Sequence, residues 1–91
     1  MSRAEADCTI QNELGLHLRA AAGFVKVAER FASEVSVSCG DISANGKSII
    51  ALVTLAAPKG THIRVVVEGE DSEEAIEALV ALIDGGFGEN A

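Results

Sequence analysis

The chain has no tryptophan and no tyrosine, and three phenylalanines are its only aromatic side chains. With 48% apolar residues, its core must be built from aliphatic side chains and alanine. It has one proline, Pro58, and two cysteines, Cys8 and Cys39. The cysteines make neither a metal-ligand spacing nor a CxxC redox pair, so no metal site is expected. They read as two buried, reduced thiols, with their proximity left open. Basic residues are scarce too: seven Lys and Arg against 14 Asp and Glu leave a formal charge of −7. That balance argues against nucleic acid, which calls for a basic face, and against an anionic membrane surface. No apolar run approaches the roughly 20 residues of a membrane span, and Met1–Glu5 shows no signal-peptide core. A cytoplasmic protein is expected. At 91 residues the chain makes one small domain, 1–91, with no internal repeat, linker or low-complexity segment.

A second kind of absence is local. Residues 14–28 and 42–67 contain no acid, yet hold Arg19, Lys26, Lys47, Lys59 and Arg64, five of the seven basic residues. Six of the 14 acids crowd instead into Glu68, Glu70, Asp71, Glu73, Glu74 and Glu77. A surface polarised in this way steers an acidic or phosphate-bearing partner toward the two acid-free stretches.

What is present is a clear succession of periodicities. Ala6–Gln11 alternates with Cys8 and Ile10 on one face, which predicts a strand. From Leu18 the apolar residues Ala21, Phe24, Val25, Ala28 and Phe31 fall at helical spacing, predicting a helix over 18–32. Glu34–Cys39 alternates again, Gly40-Asp41 signals a turn, and Ile42–Ala44 returns. Ser48 then caps a short apolar helix containing Ile49, Ile50, Leu52, Val53 and Leu55. His62–Glu68 is the clearest strand, with Ile63, Val65 and Val67 inward and His62 an ordinary surface residue. A last helix follows near Asp71–Ile83, its acidic start suiting the helix dipole. Gly85-Gly86 ends it, and residues 86–91 are expected to fray. Four strands with helices on one face predict an α+β open-faced sandwich on an antiparallel sheet. The first two strands, joined by a helix, should run parallel with another strand between them.

The junction at Gly15-Leu16-His17-Leu18-Arg19 carries the chemistry. A helix start exposes unpaired N–H groups, and none of Ser, Thr, Asp or Asn occurs at 15–20 to cap them. A histidine stands at the boundary and an arginine two residues on, with no acid nearby. Free N–H donors, the positive end of a helix dipole and a fixed cation compose an anion site. A neutral imidazole can attack a phosphoryl group, and the product would lie where those donors and Arg19 point. A solvent-facing histidine on a poorly capped helix is the plain alternative.

The stretch Asn12–Ala22 resembles the active-site signature of the HPr family, histidine-containing phosphocarriers of the bacterial sugar phosphotransferase system. That signature usually reads Gly-Leu-His-x-Arg-Pro-Ala, and Ala20 stands here in place of its proline. The resemblance extends over nearly the whole chain and implies the HPr fold, a four-stranded antiparallel sheet covered on one face by two long helices and one short helix. It implies phosphorylation of His17 at Nδ1 by enzyme I, onward transfer to acceptor A domains of sugar permeases or regulatory equivalents, and a charge-neutralising Arg19. The backbone of Leu18 and Arg19 would bind the phosphate. A carrier of this kind is a monomer, needs no cofactor, and is not an enzyme outside its complexes.

Asn45-Gly46-Lys47-Ser48 ends like a phosphate-binding P-loop but lacks the glycine four residues before Gly46, so that reading fails. Ser48 is an N-cap in any case. The segment also resembles the regulatory-serine region of HPr proteins that serve an HPr kinase/phosphorylase, and a phosphate there would sit on a helix N-terminus. The short helix carries more apolar side chains than two turns can bury, so some should stay exposed beside the His17 loop as a docking patch. Ile49, Ile50 and Val53 match the partner-docking positions of the family. Two alternatives remain: a nitrogen-type phosphotransfer regulator with no sugar to transport, or an interaction module that no longer carries phosphate.

Overall fold

The computed structural model describes residues 2–89. The elements run β1 (Arg3–Thr9), α1 (Leu18–Ala28), β2 (Glu34–Cys39), β3 (Ile42–Asn45), α2 (Ile49–Thr54), β4 (His62–Glu68) and α3 (Ser72–Asp84), then a 3-10 turn at Gly86–Gly88. The strands form one sheet in the order β1-β4-β2-β3, and every neighbouring pair is antiparallel. β1 and β2 therefore run parallel to each other with β4 between them, as the helical connection predicts.

β4 shows why. Its Ile63, Val65 and Val67 are buried beneath the helices, while His62, Arg64 and Glu68 face outward. Burial of each such side chain contributes about 1.5–3 kcal/mol. The helices answer with small and aliphatic residues: Ala20, Ala21, Phe24, Val25 and Ala28 from α1, and Ala75, Leu79 and Ile83 from α3. α2 adds Leu52, its one buried residue.

Several boundaries differ from expectation. β1 begins three residues early, at Arg3, because Ala4 and Ala6 are inward-facing but too small to give an apolar alternation. α1 stops at Ala28, short of Ala32. Its exit tightens through Arg30 N–H to Val27 O at 3.1 Å and Phe31 N–H to Ala28 O at 3.2 Å, and Phe31 packs from outside the helix. Lys47 Nζ donates to Phe31 O at 2.7 Å, satisfying one carbonyl of that exit. α3 begins at Ser72, and Asp71 makes no cap bond to it. The Asp71 carboxylate instead accepts from Ala32 N–H at 2.9 Å, Ser33 N–H at 3.0 Å and the Ser33 hydroxyl. The Ser33 hydroxyl foremost, then the Ala32 amide, hold Asp71 below the ordinary carboxylate range. The cysteines are both free, with Cys8 buried but Cys39 only half-buried.

The expected fraying of 86–91 does not hold for residues 86–89. Gly86 is buried, Phe87 packs against the core, and Glu89 N–H bonds Gly86 O at 3.0 Å. Residues 90 and 91 lie outside the described residues.

Candidate functional site

The loop from Asn12 to His17 is fixed before the helix begins. Gly15 N–H donates to Asn12 O at 3.1 Å, and Leu16 N–H to Ala57 O at 2.8 Å. Gly15 has φ +69°, and a Cβ there would fall 2.4 Å from Ala57 O and 2.8 Å from Pro58 Cα. Only glycine fits both the left-handed angle and that approach. Leu16 is buried next to it, and His17 follows in extended conformation, φ −84° and ψ −178°.

His17 is the N-cap of α1. The sequence shows no cap of the usual kind here, yet the imidazole supplies one: Arg19 N–H donates to His17 Nδ1 at 3.3 Å. Nδ1 is bonded to Cγ just as the amide oxygen of asparagine is, so an unprotonated ring can reach the N–H that asparagine would. The cap contact requires a lone pair on Nδ1. The first intrahelical bond is Ala21 N–H to His17 O at 2.8 Å, so Leu18 and Ala20 N–H precede the i→i−4 ladder. Ala20 is buried at the third helical position.

The other ring nitrogen, Nε2, lies 2.5 Å from Glu89 Oε2. Glu89 Oε1 accepts from Asn12 Nδ2 at 2.8 Å, and the same amide donates to Gly15 O at 2.7 Å. Asn12 is 2% exposed, so this polar link between loop and tail is sheltered from water. The Asn12 bond foremost holds the Glu89 carboxyl below its ordinary range; desolvation, the next largest effect, opposes it, and the His17 contact and the charge of Arg19 add smaller lowering effects. His17, Arg19, Phe87 and Glu89 line a hollow of about 340 Å³. A second, more apolar hollow of about 280 Å³ joins His17 to Leu14, Val53, Ala56 and Pro58.

Ser48 caps α2, its hydroxyl accepting from Ala51 N–H at 3.2 Å. Of the apolar residues behind it, Ile50 is 81% exposed and Val53 36%, while Ile49 is half-buried against the core. Leu14 and Leu18 flank His17 and are likewise exposed. His62 is exposed on β4 and hydrogen-bonded to Thr9 Oγ1 at 3.0 Å. Among the described residues there is no cluster fit to hold a metal ion, and no helix is long and apolar enough to cross a membrane.

Residues 4–85 match the family model described as the PTS HPr component phosphorylation site. The chain belongs to the HPr family. It is 51% identical over 80 residues to the phosphocarrier protein HPr of Neisseria meningitidis serogroup A, covering 88% of this chain and 90% of that one. It is 50% identical over 88 residues to the phosphocarrier protein HPr of Pseudomonas aeruginosa, covering 91% and 93%. Among solved structures, HPr-C-His of Thermoanaerobacter tengcongensis superposes with a TM-score of 0.92 at 41% identity, covering 97% of this chain and 99% of that one. As a member of that family, the chain is a phosphocarrier component of a phosphotransferase system.

Two site residues escaped the sequence. Asn12 looked like part of a loop, and only the fold shows its amide bridging Gly15 and Glu89. Glu89 follows the last periodic segment by several residues, and no spacing ties it to His17. The one available hint was Gly85-Gly86-Phe87-Gly88, a run able to reverse the chain.

Proposed function

We propose that His17 accepts a phosphoryl group at Nδ1 from phosphorylated enzyme I and passes it to acceptor A domains. The observation that carries this is the Nδ1 lone pair placed at the N-terminus of α1, 3.3 Å from Arg19 N–H. When Nδ1 bonds phosphorus, Arg19 N–H exchanges its bond to the ring for one to a phosphoryl oxygen. Leu18 N–H, outside the helical ladder, is a second donor, and the helix dipole favours the added charge. The Arg19 guanidinium offsets the negative charge on the group in flight. The machinery of transfer belongs to the complex the carrier forms rather than to the carrier alone.

Ile50 and Val53, with Leu14 and Leu18, form the apolar docking surface around His17. Ile49 contributes less, being half-buried. Ser48 is the regulatory site for an HPr kinase/phosphorylase: a phosphate on its hydroxyl remains compatible with the start of α2 and places charge beside the docking surface.

Incubation with enzyme I and phosphoenolpyruvate tests the reading. One acid-labile, alkali-stable phosphate per chain is expected, and none in His17→Ala. A phosphate that persists in that variant would refute the assignment.

A further inference from the structure

Nδ1 is the nitrogen that reacts in the proposed transfer, and the structure holds the opposite nitrogen as well. Arg19 N–H points at Nδ1, so a neutral ring carries its single proton on Nε2, which lies 2.5 Å from Glu89 Oε2. The chain does unusual things to bring Glu89 there. Gly86, Phe87 and Gly88 have φ +66°, +58° and +75°, three successive left-handed residues, one of them not glycine. A non-glycine residue keeps such an angle when its surroundings over-determine it. Phe87 packs on the core, and Asn12 grips the far oxygen of Glu89.

We propose that Glu89 is the positioning residue of the phosphotransfer site, holding His17 with its proton on Nε2 and balancing the positive charge the ring acquires during transfer. The inference rests on His17 being the phosphoryl acceptor. In the forward step the Nδ1 lone pair forms the N–P bond, and the donor's bond to phosphorus breaks with its electron pair leaving on the donor. The ring keeps its Nε2 proton and becomes a phosphoimidazolium. Its positive charge then lies between the phosphoryl group on one side and the Glu89 carboxylate on the other. In onward transfer the N–P pair returns to Nδ1, and no proton has to enter or leave the ring in either direction. A carboxylate that orients an imidazole through its second nitrogen follows the same logic as the third member of a nucleophile–base–orienter set.

The test uses full-length 15N-labelled protein with Glu89→Ala and Glu89→Gln. In the wild type, the His17 ring should show a downfield, slowly exchanging proton on Nε2. Glu89→Ala should lose that signal while the amide spectrum of the sheet is kept. Its kcat for phosphoryl uptake from enzyme I should fall on the order of tenfold, the scale seen when an outer partner orienting a histidine is removed, with KM little changed. Glu89→Gln keeps one acceptor oxygen where Glu89 uses two, so with that oxygen toward the ring its NH2 opposes Asn12 Nδ2; it should recover the ring-proton signal and the rate only in part. A wild-type ring proton on Nδ1, or a full rate in Glu89→Ala, would overturn the positioning role. Failure of the wild type to take phosphate would instead overturn the phosphocarrier reading of His17, and the positioning role with it.

Discussion

The N-termini of α1 and α2 make an instructive pair. Each is capped by a side chain that can carry a phosphate, at nearly the same distance: 3.3 Å from Arg19 N–H to His17 Nδ1, and 3.2 Å from Ala51 N–H to Ser48 Oγ. The similarity ends there. Ser48 is a usual cap, and its hydroxyl needs nothing else to explain it. His17 is an unusual cap whose ring is held from both ends, by a helix N–H on one nitrogen and by Glu89 on the other. It stands on a loop that Gly15 and Asn12 fix from beneath. One helix start is built for stability and can bear a modification. The other accepts a poorer cap and sets a carboxylate, itself held by the buried Asn12, against the far side of one imidazole.

The comparison can be broken at its chemical end first. His17→Asn should keep the cap, because the asparagine oxygen reaches the same N–H. Stability should stay within about 1 kcal/mol of wild type, while phosphoryl uptake is lost entirely. A thermal melt alongside a phosphorylation assay separates the two roles. If His17→Asn unfolds the protein, the imidazole does more for the fold than capping explains.

Gly15→Ala attacks the platform beneath His17. The left-handed angle alone costs about 1–3 kcal/mol, and the Cβ would collide with the backbone of Ala57 and Pro58. A drop of at least that size in chemical denaturation is expected, with slowed transfer in whatever fraction stays folded. An unchanged midpoint would show that the loop can move aside, against the packing described here.

At the α2 start the effects should be smaller. Ser48→Ala loses a cap worth about 1 kcal/mol and should leave phosphoryl transfer untouched. Ser48→Asp keeps a capping oxygen and the fold, but its charge should weaken uptake from enzyme I. Equal transfer rates in the wild type and Ser48→Asp would leave Ser48 a cap and nothing more.

The smallest change concerns Ala20, where this chain departs from the usual motif of its family. The third helical position has no intrahelical acceptor for its N–H, so proline is tolerated there. Proline also biases Arg19 away from helical angles, which opposes the gain from a stiffer unfolded chain. Ala20→Pro should therefore shift stability by less than about 1 kcal/mol and preserve phosphorylation. A larger loss would mean that Ala20 N–H has a necessary partner.

The elements with strong periodicity were readable from the chain. The alternation in His62–Glu68 names Ile63, Val65 and Val67, all buried, and the apolar spacing from Leu18 names Ala21, Phe24, Val25 and Ala28, with Phe31 packing from outside the helix. Ser48 declared itself by preceding an apolar run. Features resting on long-range polar contact were not readable. Asp71 looked like a helix start and is a clasp for residues 32–33, because its carboxylate finds three donors from a distant turn. His17 looked uncapped because imidazole is absent from the usual cap preferences. Glu89 looked like fraying tail because its partners, Asn12 and His17, lie more than 70 residues away along the chain.

The phosphoryl group is expected on Nδ1 of His17, at the start of α1. Phosphorylating 15N-labelled protein with enzyme I and phosphoenolpyruvate, then recording phosphorus–nitrogen couplings in the histidine ring, tests it directly. Coupling to Nδ1 of His17, with Nε2 still bearing its proton, is the predicted result. Phosphorus coupled to Nε2, or found on His62 or Ser48 instead, would contradict it.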